Sequence, residues 1–198
     1  MAYEVFTAYS VTDRSKLAED MTERIRPTFT TAGATEVEGW DVLTGPMAGS
    51  AGISSRWESL DTYASFLNDL PGMVAADDAL AEMVGRSQLL IRVLFQDIAS
   101  AGSQAGTYMS SARFTFAAPP VGMEHNTQLA VDAGANGSRV MTAIVGGEFS
   151  GQVVGNIYYD SLDGFPAVLA ATSTDPGFAQ SAIDGGAQLL SRTLFQRI

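Results

Sequence analysis

The 198-residue sequence contains no cysteine, a single histidine and a single lysine. Without cysteine there is no disulfide framework, no zinc-thiolate or iron-sulfur site and no thiol nucleophile. With His125 as the only imidazole there is no histidine cluster either, so neither a metal nor a metal-bearing cofactor is expected. Long apolar runs are also missing. None approaches the roughly 20 residues that span a bilayer, and residues 1–10 lack the basic start and apolar stretch of a signal peptide, which makes the cytoplasm the expected compartment. Basic residues are scarce: 11 Lys plus Arg stand against 22 Asp plus Glu, a net charge of −11. A phosphate backbone or an anionic membrane would be repelled, so nucleic acid and membrane are excluded as partners.

What is present is a globular composition, 46% hydrophobic and 17% charged, too apolar for disorder and long enough for a sizeable core. The chain also repeats itself. Residues 86–98 read R-S-Q-L-L-I-R-V-L-F-Q-D-I and residues 186–198 read G-A-Q-L-L-S-R-T-L-F-Q-R-I, with eight of thirteen positions identical at a spacing of 100. Glu58-Ser59-Leu60-Asp61 answers to Asp160-Ser161-Leu162-Asp163 at a spacing of 102, and Ala32-Gly33-Ala34 to Ala133-Gly134-Ala135 at 101. Two copies are therefore expected, residues 1–99 and 107–198, joined by a flexible small-residue linker at 100–106.

Within the first copy, residues 3–10 alternate and are rich in aromatic and β-branched types, which predicts a strand. Thr12-Asp13 opens a helix carrying Leu17, Met21 and Ile25, which Pro27 limits. Strands are predicted at 36–44 and 51–57 around a Gly45-Pro46 turn. Ser59 then caps a helix striped by Leu60, Tyr63, Ala64 and Leu67, which Pro71-Gly72 breaks; a further helix runs over 73–84 and a last strand over 89–98. The second copy repeats this order with strands at 108–117, 138–145, 152–159 and 189–198, and helices at 121–131 and from Ser161. The order βαββαβ is the ferredoxin-like plan, helices covering one face of an antiparallel sheet, so the fold class is α+β. In the last strand Leu89, Ile91, Val93 and Phe95 form a wholly apolar set, whereas Leu90, Arg92, Leu94 and Gln96 form a mixed one, matched by Leu190, Arg192, Leu194 and Gln196. The expectation is that the apolar set packs on helices and the mixed set faces the sheet of the other copy, the two copies packing sheet to sheet in one pseudo-dimeric barrel.

With that unit order and the segment Trp57-Glu58-Ser59-Leu60-Asp61, the chain resembles the dimeric α/β-barrel superfamily of antibiotic-biosynthesis monooxygenases and stress-responsive barrel proteins. Trp57 and Ser59 match the Trp-x-Ser segment where the third strand meets the next helix in monooxygenase-like members. The same residues also make an ordinary helix cap beside a buried aromatic. Members of the family often carry a histidine on the following helix; here that stretch is Ala64-Ser65-Phe66-Leu67, so haem ligation and histidine chemistry do not carry over. The second copy has Tyr159 in place of Trp57. The resemblance implies a cofactor-independent monooxygenase-like or cyclase-like enzyme acting on a small apolar or aromatic molecule. The alternative is a non-catalytic small-molecule-binding, stress-associated or assembly protein, in either case an intramolecular pseudo-dimer that can pair further as a homodimer.

Candidate chemistry is sparse. His125, as the one residue of the side-chain type suited to proton transfer at neutral pH, is the first candidate for acid-base work, against a plain reading as an exposed helix residue. Arg92 and Arg192, with Gln96 and Gln196, recur in both copies on the face expected inside the barrel, where a buried Arg needs a partner. That partner is either a ligand anion, which Arg92 or Arg192 would steady while a tyrosine or His125 moves a proton, or an acidic brace such as Asp41 or Glu58. Trp57, Tyr9, Tyr158 and Tyr159, with Phe114 and Phe116, are candidate walls of an aromatic-lined ligand site and equally candidate core. Gly146-Gly147 and Gly185-Gly186 lack the strand-loop-helix setting of a phosphate site, and Asp77-Asp78 lacks calcium-loop spacing.

Overall fold

A computed structural model describes residues 3–198. Its strands are β1 (Tyr3–Val11), β2 (Glu36–Val42), β3 (Ala51–Trp57), β4 (Ser87–Gly102), β5 (Tyr108–Thr115), β6 (Gly137–Val145), β7 (Val153–Tyr159) and β8 (Gln188–Arg197). All pairings are antiparallel, and the strands close into one barrel in the order β1-β3-β2-β8-β5-β7-β6-β4. Strands β1–β4 and β5–β8 show the same internal adjacency, fourth-first-third-second, and the two groups meet edge to edge at β2·β8 and β4·β6. Closure leaves no unpaired sheet edge, which removes the usual site of strand-to-strand aggregation.

Helices cover the outside of the barrel. Leading from β1, α1 (Leu17–Asp20) runs through a π-helical turn at Met21–Ile25 into α2 (Arg26–Thr31). Pro27 was expected to limit this helix; instead the wider turn just before it takes up the carbonyl that the proline ring would strike and leaves its missing donor harmless. Pro71 likewise fails to break α3 (Leu60–Ala76), which ends only at Asp77, whose carboxylate accepts from the Ala79 and Leu80 amides and so starts α4 (Asp78–Gly85). Ser59 caps α3 as expected, its hydroxyl accepting from the Thr62 amide at 3.1 Å. On the other half lie α5 (Met123–Asp132), α6 (Phe165–Thr174) and α7 (Pro176–Gly185).

The two faces of β4 are the reverse of the expectation. Ile91, Val93 and Phe95 point into the barrel lumen, packed with Met141, Ala143 and Val154, whereas Leu94 lies under the helices against Met21, Ile25, Trp57 and Phe66. The physical reason is that alternation separates the two sets without deciding which lies inside, and barrel closure turns Ile91, Val93 and Phe95 toward Met141, Ala143 and Val154 across the lumen. The mixed set goes where a long Arg stem can lie under a helix with its head near polar partners. A bulge between Ala8 and Tyr9 shifts the pairing of β1 with β4 from Ile91 to Leu89 and resets the alternation there. Ladder pairing also continues through Ser100, Ala101 and Gly102 to Arg139, Ser138 and Gly137, so the first part of the expected linker is strand.

Candidate functional site

Hollows lie under the helices of each half, in the lumen, and at its charged end around Glu4, Arg56 and Arg139. The candidates from sequence are divided among them. In the first half, Trp57 is fully buried, stacked on Phe66 at 5.4 Å and donating its indole N–H to Ser55 Oγ at 2.9 Å. That is a core position. Tyr9 lines a hollow of about 220 Å³ with Leu17, Met21 and Phe29, and the Arg92 guanidinium sits against its hydroxyl. Burial pushes the phenols of Tyr9 and Tyr63 above the ordinary range, with Arg92 drawing each partly back. Asp20, at the edge of this hollow, is held by Arg24 at 2.7 Å and Arg86 at 3.1 Å. Gln96 is half-buried on β4, and Gln196 stands opposite Asp41 and Tyr108 in the ladders of β8. The expected brace for the repeated arginines is not there: Asp41 is salt-bridged to Arg14, and Glu58 is exposed at the end of β3.

The second half has its own chamber, about 120 Å³ between β5–β8 and helices α5–α7. Phe114, Phe116, Phe165 and Phe178 supply its walls, and Tyr159, Ser110, Asn126 and Ser181 its polar groups. Gly155 opens the sheet side, where an added Cβ would meet no atom within 4 Å. Arg192 is the only charged side chain lining it, lying 5.5 Å over the Phe165 ring. It forms no ion pair among the described residues. Burial raises the Tyr159 phenol above its usual range against the pull of Ser110 and Arg192, so it stays a protonated donor. A haem does not fit here, because the lining offers neither imidazole nor thiolate and the space is of single-ring size. No group of three or more His, Cys, Asp or Glu residues among those described is placed to hold a metal ion.

His125 stands outside the chamber. Half-exposed on α5, its Nε2 lies 2.8 Å from Asp175 Oδ1, while Asp175 also caps α7 by accepting from the Phe178 amide at 2.7 Å. The pair fastens α5 to α7, and the hydrogen bond from His125 holds the Asp175 carboxyl below its ordinary range.

Tyr158 belongs to the lumen, where sequence reading missed the most polar feature of the molecule. Glu4, 7% exposed, is salt-bridged to Arg139, 2% exposed, whose Nε donates to Asp97 Oδ1 at 2.7 Å; Arg56 donates to Asp97 Oδ2 at 2.7 Å. Burial pushes the Glu4 carboxyl up while Arg139 pulls it down, and burial, with Glu4 adding, pushes the Tyr158 phenol far above its usual range. The available signal was an inward-phased Glu4 and Arg139 within otherwise apolar strands.

No protein-family model and no curated protein sequence matches the chain. Solved structures do. An anthrone oxidase-like protein superposes with a TM-score of 0.58 at 13% identity, over 100% of this chain and 91% of its own. A candidate monooxygenase from Lactobacillus acidophilus gives 0.57 at 9% identity, over 98% and 93%. A mutant chlorite dismutase from Candidatus Nitrospira defluvii gives 0.63 at 11% identity, over 100% and 91%. Strand order, barrel closure and these near full-length superpositions agree on the fold: the chain shares the helix-covered β-barrel of these solved structures, and here one polypeptide supplies all eight strands.

Proposed function

We propose that the chain is a cofactor-independent monooxygenase-like enzyme that binds a small, electron-rich phenol or enol as its anion in the second-half chamber. The observation that carries this is Arg192, the one charged side chain lining an aromatic chamber and without a carboxylate partner among the described residues. Arg192 is half-buried beside the aromatic wall, where a bound anion would meet its charge, and a bound phenol would supply one by losing its proton to solvent. Phe114, Phe116, Phe165 and Phe178 would hold the ring, and Tyr159 and Asn126 would orient its oxygen. The electron-rich ring then gives electrons to dioxygen: one oxygen atom replaces a ring hydrogen as a carbonyl, the other leaves as water, and phenol plus O2 becomes quinone plus water. At about 120 Å³ the chamber suits one ring, which narrows the substrate to monocyclic or compact bicyclic phenols. We further read the common adjacency within β1–β4 and β5–β8, with the matched sequences of β4 and β8, as a tandem duplication.

The test is oxygen uptake with a panel of mono- and bicyclic phenols, matched to quinone formed. Arg192→Met is expected to lower kcat/KM by about a hundredfold or more with an unchanged far-ultraviolet circular dichroism spectrum. A second reading has its own support: no carboxylate or imidazole lines the chamber to take a proton. Phenol binding that depends on Arg192 without oxygen uptake would establish that ligand-binding reading over the enzymatic one.

A further inference from the structure

The lumen holds a second cavity, about 560 Å³, large enough to enclose a small-molecule ligand and separated by the sheet from the Arg192 chamber. Phe6, Phe95, Met109, Met141 and Phe195 make its wall apolar. Two polar side chains on that wall each keep one buried atom without a protein partner. Asn156 on β7 is 5% exposed; its side chain hydrogen-bonds the Tyr158 hydroxyl, while its oxygen is buried without a donor. Arg113 on β5 has a buried Nε without an acceptor, forms no ion pair among the described residues, and lies over the Phe149 ring at 4.3 Å beside the loop that rims the cavity. The ladder fixes their relation: Ser111 is opposite Asn156 and Arg113 opposite Val154, so the two groups are two residues apart along the strands, roughly 7 Å. Glu4 and Glu148 also line the cavity; the charge of Glu4 is met by Arg139, and Glu148 stands on the rim loop next to Phe149.

We infer that the lumen is a binding site for a hydroxyaryl carboxylic acid, its hydroxyl at Asn156, its ring against the phenylalanine and methionine wall, and its carboxylate at Arg113. A hydroxyl answers Asn156 in either orientation of the amide, because it both donates and accepts. A carboxylate matches the planar guanidinium, which already rests on an aromatic face. The apolar wall explains why a bare polar solute would not suffice. This site is independent of the chamber assigned to oxygen chemistry.

The experiment is calorimetric titration with three probes: para-hydroxycinnamic acid, cinnamic acid, which lacks the hydroxyl, and para-propylphenol, which lacks the carboxylate. The first is expected to bind with one-to-one stoichiometry and about tenfold more tightly than either of the others. Arg113→Met should erase its advantage over para-propylphenol, and Asn156→Leu its advantage over cinnamic acid. Gly155→Leu, which fills the Arg192 chamber from a position with open space, should leave lumen binding unchanged while abolishing phenol binding there, so the two sites fail separately. If Asn156→Leu does not fold, Ser111→Phe, which projects a ring into the lumen from a half-buried position, should abolish binding. Equal affinity for the three probes, no binding, or binding lost in Gly155→Leu but kept in Arg113→Met would overturn the inference.

Discussion

Arg139 is the residue on which the charged end of the lumen depends. It is 2% exposed and touches both Glu4 and Asp97, so its removal strands a buried carboxylate with no cation in contact. Losing one partner of a buried pair costs about 3–5 kcal/mol, far more than a surface bridge. Arg139→Met should therefore lower the free energy of unfolding obtained from urea titration by that amount, whereas Lys16→Met, which breaks only the exposed bridge to Glu82, should leave it nearly unchanged. His125 gives a prediction of a different kind. The hydrogen bond from its ring lowers the folded-state pKa of Asp175, so this contact adds stability at neutral pH that is lost as pH falls through the folded-state value, below the ordinary aspartate range. In His125→Ala that contribution should be absent, and the loss of stability over that acid interval should be shallower than in the unmodified chain. An unchanged acid limb would mean the clasp between α5 and α7 carries no stability.

At the scale of elements, the strands were legible because alternation and turn residues are local signals, and the repeated segments at 86–98 and 186–198 placed β4 and β8 correctly. Which face of β4 looks inward was not legible. Alternation separates Ile91, Val93 and Phe95 from Arg92, Leu94 and Gln96, but only barrel closure decides which of the two sets faces the lumen. The same inversion moved Arg92 and Arg192 from lumen to helix side and hid Arg113 and Asn156, whose meaning depends on which side of β5 and β7 they occupy. The prolines misled for a related reason: their local cost is real, but tertiary packing tolerates it. Pro71 sits on the exposed side of α3 well inside the helix, where proline removes a backbone donor and crowds the preceding turn. Pro71→Ala should thus stabilise the protein by roughly 1–2 kcal/mol after the offsetting gain in unfolded-chain entropy. A thermal midpoint that falls on this substitution would show that Pro71 sets a bend the fold requires.

For the whole molecule, the two seams that close the barrel are unequal. At β4·β6 the ladder runs from Leu94 opposite Val145 to Gly102 opposite Gly137, whereas β2·β8 pairs only at Trp40 with Arg197, Asp41 with Gln196, and Val42 with Phe195. The short seam is extended by single bonds, from the Leu43 amide to the Leu194 carbonyl at 2.9 Å and from the Leu194 amide to Thr44 Oγ1 at 2.9 Å, and by the Arg197–Glu38 bridge at 2.9 Å. Local opening of a fold follows its least-supported contacts, and here these are the β2·β8 bonds. Native-state hydrogen exchange should find the amides of Leu43, Leu194 and Ile198 exchanging well before the amides that pair β4 with β6 along the long seam. Weakening the short seam with Thr44→Ala and Glu38→Gln together should widen that gap while leaving the β4·β6 amides at their original rates. Uniform exchange across both seams would instead mean that the barrel opens only by global unfolding, and that the unequal ladders have no separate dynamic consequence.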